Sequence, residues 1–274
     1  TLIDKIGDYE RAGKSLEDAD NERLWAEIDA KLRKRFDEKT LDIFYHHFGL
    51  FGYEKLSGKE MMKKYGDLTG DLHTDLHECL GHGSGQLLPE TSPNALGEYS
   101  SALEETRADL FGLYYLADPK LVELVILPDM EAYKAQYTSF IRNGIFTQFT
   151  RVELGKKNME SHMQDRKLIA QWCYEKGLAD NVIEKKVRDG KTYFVVNDFE
   201  ALRGLFGDLL AEVQRIKSEG DYEAGKALVE NYAVNIDYDL HKEVLERYSS
   251  LGLKPYGGFL NPEIVPVEKN GEVV

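Results

Sequence analysis

Residues 77–82 read His-Glu-Cys-Leu-Gly-His, two imidazoles with a carboxylate beside the first. Imidazole nitrogens bind zinc, and an acid next to such a ligand can take a proton from water. Helical sites of the H-E-x-x-H kind hold their histidines four apart, on one face. Here Gly81 stands where that second histidine would be, and His82 comes one residue later. On an ideal helix an interval of five turns the two rings about 140° apart. A single π-bulge, with its i→i+5 register, brings them back to one face, and Gly81 lowers the steric demand of that adjustment. Glu78, next to His77, is then the candidate base.

A zinc site of this kind needs a third protein ligand and leaves a fourth position open for water. Candidates follow in SALEETRADLFGLYYL, residues 101–116, which reads as an amphipathic helix carrying Glu104, Glu105 and Asp109. Glu105 and Asp109 share a face, so one can bind metal while the other accepts a hydrogen bond from a ligand histidine. The turn-rich GSGQLLPETSPNALGEY between the two segments suits a loop that reverses the chain. Two plainer readings stand beside this one. His73 and His77 have ideal i,i+4 spacing but no acid directly after the first, and E-E-x-R-A-D can be a solvated helix face with i,i+4 pairing. Cys79 reads as a small packed residue, His46-His47 as packing among aromatics, and GHGSGQ lacks the ending of a phosphate loop.

The two motifs together, His77-Glu78-Cys79-Leu80-Gly81-His82 and Glu104-Glu105-Thr106-Arg107-Ala108-Asp109, resemble the paired signature of the dipeptidyl peptidase III family. The likeness runs from about residue 65 to the end. MESHMQDRKLIAQW, residues 159–172, resembles that family's H-M-x-x-R helix. From the residues alone, His162 is a surface or packed histidine and Arg166 a solvated partner for Asp165 or Glu160. The resemblance implies one zinc per chain held by His77, His82 and Glu105, with Glu78 as general base. It implies Glu104 and Asp109 as the carboxylates that orient the histidines, without saying which acid serves which ring. It implies His162 assisting the tetrahedral intermediate and Arg166 holding substrate. The implied reaction is release of N-terminal dipeptides from short peptides. Members of that family are longer and two-lobed, so this chain resembles the helical, zinc-bearing lobe with an N-terminal lobe missing. The alternatives from other classes are a non-catalytic helical peptide-binding or regulatory module and a zinc endopeptidase.

The elements that must position these residues are mostly helices. Apolar residues recur at helical intervals over 22–36, 41–56, 131–154, 160–176, 198–218, 221–234 and 239–248. NVIEKKVRDGKTYFVVND, residues 181–198, instead alternates about Asp189-Gly190, a hairpin signal. The expected fold is therefore mainly α, a multi-helix catalytic lobe with a small β-hairpin near 182–196. It divides into N-terminal helices over about 1–65, a zinc-site core over 66–250 and an extended tail over 251–274. The 274 residues, 42% hydrophobic and 31% charged, suffice for a substantial core. The net charge of −14 argues against a nucleic-acid partner, and no apolar run matches a bilayer span. Two cysteines imply no disulfide scaffold and fit a reducing, cytoplasmic setting. A chain opening on Thr1 reads as a piece of something longer.

Overall fold

Short acidic side chains open the later helices. In the computed structural model, which describes residues 58–252 with the segments Glu268–Lys269 and Glu272–Val273, Asp198 accepts from the Ala201 amide, Asp221 from Ala224 and Asp237 from Leu240. Each satisfies an amide that the first helical turn leaves unpaired. Glu160 does the same for His162 and Met163. The resulting helices are α1 (Gly58–Leu76), α2 (Ser100–Leu116), α3 (Pro119–Glu123), α4 (Tyr133–Ile145), α5 (Ser161–Lys176), α6 (Phe199–Glu219), α7 (Tyr222–Val229) and α8 (Tyr238–Ser249). Two π-helical turns, His77–His82 and Glu230–Val234, extend α1 and α7.

Two compact units divide the chain, Thr1–Lys59 and Glu60–Val274, and apart from Gly58 and Lys59 the described residues belong to the second. The helices expected at 22–36 and 41–56, with His46 and His47, lie outside the described residues. The fold is mainly helical, as expected, and its hairpin pairs β1 (Ile183–Arg188) with β2 (Lys191–Val196) antiparallel. Asp189 and Gly190 close it with φ of 51° and 69°, the two left-handed residues that a two-residue turn of this hand requires. In the tail the described part is a second small ribbon, Glu268–Lys269 against Glu272–Val273.

The centre of the second unit is α2, packed against α5, α6 and the π-helical turn at 77–82. Leu103, Ala108, Leu110 and Leu113 are buried completely or nearly so, and Arg107 and Asp109 with them. The segment expected to be an amphipathic helix is thus enclosed on most sides, and the solvated-face reading of E-E-x-R-A-D is corrected. Tyr137 from α4 locks the core: its ring meets Phe206 of α6 edge-on at 4.9 Å, and its hydroxyl donates to the Leu113 carbonyl.

The apolar run at 131–154 is not one helix. It stops at Ile145, and Thr147–Arg151 form a 3-10 turn. At Phe146 the backbone leaves helical geometry, setting its ring 5.4 Å from Phe194 of the hairpin. His241 of α8 lies within hydrogen-bond range of the carbonyls of Phe149 and Val152 that this break exposes. Gly144 lies where α4 crosses α5, and a β-carbon there would overlap the Arg166 carbonyl and meet Ala170 Cβ at 2.7 Å. Gly144→Ala should therefore destabilise the fold by about 1–3 kcal/mol through overpacking. Urea denaturation measures this, and an unchanged midpoint would mean the crossing tolerates the methyl group.

Candidate metal centre

The late histidine is accommodated by the backbone. From His77 to His82 the chain runs as a π-helical turn, so the two rings face one another edge-on with centroids 4.7 Å apart. Gly81 serves a second purpose besides easing the turn. A β-carbon on it would stand 2.6 Å from Ala108 Cα, so the turn rests directly on the backbone of α2.

That contact sets both rings against the acids of α2. His77 Nδ1 lies 2.6 Å from Asp109 Oδ1, and His82 Nδ1 lies 2.9 Å from Glu104 Oε1. Each acid thus serves one ring, with each Nδ1–H donating to a carboxylate. This tautomer leaves the Nε2 lone pairs free, and both point toward Glu105. Its Oε2 is 3.3 Å from His77 Nε2 and 3.6 Å from His82 Nε2. That oxygen is buried and has no hydrogen-bond donor. Two nitrogen lone pairs converging on an orphaned carboxylate oxygen repel unless a cation or a proton lies between them. Nε2 of His77, Nε2 of His82 and Oε2 of Glu105 could hold a metal ion, since ligand atoms of the three residues all lie within 4.8 Å of one another.

The surrounding charges fix this arrangement. Burial works against ionisation of Glu104, but hydrogen bonds from Arg107, Lys217 and His82 outweigh it and bring its pKa down to about 2. Arg107 is buried and also donates to the Gly81 carbonyl at 2.8 Å and to Ser84 Oγ at 3.3 Å, tying the end of the turn to α2. Burial opposes the His77 imidazolium too, yet the hydrogen bond and charge of Asp109 and the charges of Glu105 and Glu78 hold its pKa above the ordinary histidine value. Asp109 is likewise held below the usual carboxylate range against its burial, by the His77 hydrogen bond and by His73. Lys217, which binds Glu104 from α6, had no signal in the sequence: more than a hundred residues separate the two. Arg107, inside the E-E-x-R-A-D string, was in view but unassigned.

The remaining candidate residues take up other places around the cluster. His73, the alternative ligand, is buried; it takes a hydrogen bond from Gln136 on Nδ1 and donates from Nε2 to the Asp109 carbonyl. Burial lowers its pKa, and both its nitrogens are engaged away from Glu105. Glu78 and Cys79 are exposed, which corrects the reading of Cys79 as a packed residue: a π turn with its rings against α2 sends that side chain outward. His162 is 55% exposed, with Nδ1 3.0 Å from Glu160 and Nε2 3.6 Å from Glu105 Oε2. Arg166, one turn further along α5, lies near enough to Asp109 and Asp165 to favour their charge, though its guanidinium makes no hydrogen bond to either.

Comparison with known proteins identifies the lineage. The profile of peptidase family M49 matches residues 90–247. The chain belongs to peptidase family M49. The M49 match takes in Glu104, Glu105, Asp109, His162 and Arg166; His77, Glu78 and His82 precede it. M49 is a metallopeptidase family, in keeping with the His-His-Glu cluster. The chain is 26% identical to dipeptidyl peptidase 3 of Mus musculus over 218 residues, 65% of this chain and 30% of the mouse protein. It is 27% identical to dipeptidyl peptidase 3 of Homo sapiens over 206 residues, 61% of this chain and 28% of the human one. The structure of DPP III from Caldithrix abyssi superposes with a TM-score of 0.49 at 25% identity, over 64% of this chain and 31% of that one. The M49 chain described here therefore spans about 30% of the length of the curated relatives it matches. Among its described residues no helix is long and apolar enough to cross a membrane.

Glu104 offers a test of the electrostatics. Its pKa of about 2 lies below the ordinary 4.5, so its pairing stabilises the fold fully above about pH 4.5 and is lost as the pH falls through about 2. Glu104→Gln should cost about 2 kcal/mol at pH 7, less than a fully buried pair because the side chain is 25% exposed. Urea denaturation against pH should show the variant and the wild type converging between pH 4.5 and 2. A gap that stays constant across that range would refute the assignment.

Proposed function

We propose that this chain is the zinc-bearing helical lobe of a peptidase that releases dipeptides from the free amino terminus of short peptides. The observation that carries the reading is the meeting of the two free imidazole nitrogens with the orphaned oxygen of Glu105, at 3.3 and 3.6 Å. Zinc–ligand bonds of about 2.0–2.1 Å put neighbouring tetrahedral donors about 3.3–3.4 Å apart. In this reading His77, His82 and Glu105 hold one zinc ion, while Asp109 and Glu104 fix the tautomer and direction of the two rings. When bound, zinc supplies Lewis acidity, lowering the pKa of water and polarising the scissile carbonyl.

Glu78 follows His77 directly, is exposed and acts on that ring through its charge, and in this reading it would take a proton from the attacking water and pass it to the leaving amine. His162 assists from α5. Glu160 accepts from its Nδ1, and its Nε2 lies on the Glu105 side, from which it would donate to the oxyanion of the tetrahedral intermediate. Arg166, on the same helix, would hold the substrate. The dipeptide preference comes to this chain from its relatives, which are named dipeptidyl peptidase 3. The cytoplasmic setting and the missing N-terminal lobe belong to the same proposal. Because the chain spans about 30% of those relatives, metal binding is assigned to this part, and measurement of the substrate's amino terminus to residues beyond it.

Elemental analysis tests the reading directly. The purified chain should carry about one zinc, His82→Ala should lose it, and Glu78→Gln should keep it. Where peptide cleavage is measurable, Glu78→Gln should lower kcat about 10²- to 10⁴-fold with zinc still bound. An N-acetylated peptide should be cut far more slowly than its free-amine twin, whereas equal rates would favour an endopeptidase. A chain that takes up no zinc would leave the non-catalytic module as the better reading.

A further inference from the structure

Behind the proposed ligand His77 stands Asp109, and behind Asp109 stands a second buried carboxyl. Asp165 on α5 is completely buried, and neither of its oxygens has a hydrogen-bond donor. Oδ2 of Asp109, the oxygen not used by His77, also lacks one. The two side chains meet as hydrogen-bonding neighbours where α2 packs on α5. Two ionised carboxylates there would put like charges in contact and leave three oxygens buried without a donor, an arrangement that folded proteins avoid.

The charged and titratable groups around the pair offer no other remedy. The guanidinium of Arg166, on Asp165's own helix, makes no hydrogen bond to either acid and acts through its charge, and the Arg166 backbone amide beside Asp165 only partly offsets the burial of that carboxyl. His77 and His73, from the first helix and its π turn, approach Asp109 at Oδ1, at 2.6 and 3.7 Å. One proton removes the repulsion and leaves a single neutral carbonyl oxygen without a donor. Placed on Asp165, it turns two mutually repelling acceptors into a donor and an acceptor, and Asp109 keeps a single charge with Oδ1 still accepting from His77.

We propose that Asp165 is a positioning residue of the metal centre, its carboxylic O–H donating to Asp109 Oδ2 and thereby fixing the carboxylate that orients His77. The metal part of this rests on the proposed zinc function; the shared proton does not. Burial, followed by the charge of Asp109, pushes the Asp165 carboxyl well above the usual carboxylate range, with Arg166 opposing. The consequence is a relay from α5 through α2 to the π turn. Both oxygens of Asp109 are then engaged, Oδ1 by His77 and Oδ2 by Asp165, which holds the His77 ring in one orientation.

Infrared difference spectroscopy and zinc titration of the whole chain test the two parts separately. At pH 7 the metal-free wild type should show the carbonyl stretch of a protonated carboxylic acid, and Asp165→Asn should lack it. Asp165→Asn can still donate an amide N–H to Asp109, so its zinc affinity should stay within about threefold of wild type. Asp165→Leu, which has no donor, should bind about tenfold more weakly. The proposal fails if the wild type has no such band, if the band survives in Asp165→Asn, or if folded Asp165→Leu binds zinc as tightly as wild type. Should Asp165→Leu not fold, the infrared comparison with Asp165→Asn decides. A wild type that takes up no zinc overturns the metal role, while the band still decides who holds the proton.

Discussion

Everything in the site depends on the close approach of one backbone turn to another helix. Gly81 touches the backbone of Ala108 with no side chain between, and the π-helical register carries His77 and His82 to either side of that contact. The partners on α2 have the same interval, since Glu104 and Asp109 are also five apart. On a regular helix that interval spreads two side chains by about 140°, so the acids flank the contact instead of lining one stripe. Because the two segments run in opposite directions, His77 meets Asp109 and His82 meets Glu104. Glu105, between those acids in sequence, is left facing both rings.

The two histidines are held by different means. His77 is buried, and its acid, Asp109, lies almost wholly inside, so its orientation is set by packing and by the hydrogen bond from its Nδ1 to that carboxylate. His82 is exposed, and its acid is instead secured by charge, from Arg107 and Lys217. A surface ion pair would do this poorly, being screened and entropically costly. Arg107 is different because it is fully enclosed and spends its donors on Glu104, Gly81 and Ser84 together. Removing Glu104 therefore orphans a buried guanidinium as well as freeing a ring, which couples the stability of the fold to the geometry of the site.

How far this could be read from the sequence depends on the range of the interactions. The π turn was legible because two histidines that have a reason to face one way lie five positions apart, and the hairpin because Asp189-Gly190 specifies its own turn. The helix starts at Asp198, Asp221 and Asp237 are local events of the same kind. The acids of 104–109 were legible as candidates, but their assignment to particular rings required knowing that α2 runs antiparallel to the turn and crosses it at Gly81. The break at Phe146 escaped periodicity, because the residues that compensate it, Phe194 and His241, come from elements far along the chain. Lys217 was out of reach for the same reason. Cys79 misled because small apolar side chains are usually packed, whereas a wound turn pressed onto α2 by its rings turns the residues between them outward.

The shortness of the chain bears differently on binding and on catalysis. The cluster of donors is local: the three residues that could hold a metal lie on one turn and one helix, with their supports on α1, α2, α5 and α6. Reading the end of a peptide is another matter, because it requires groups a fixed distance from the reacting atoms, and positioning accounts for much of an enzyme's rate. With about 30% of the relatives' length present, the three residues that could hold a metal already sit together here. Metal affinity and peptide turnover should thus be separable properties. On the proposed reading, a change at the π turn or α2 acts on metal affinity first and on turnover through it.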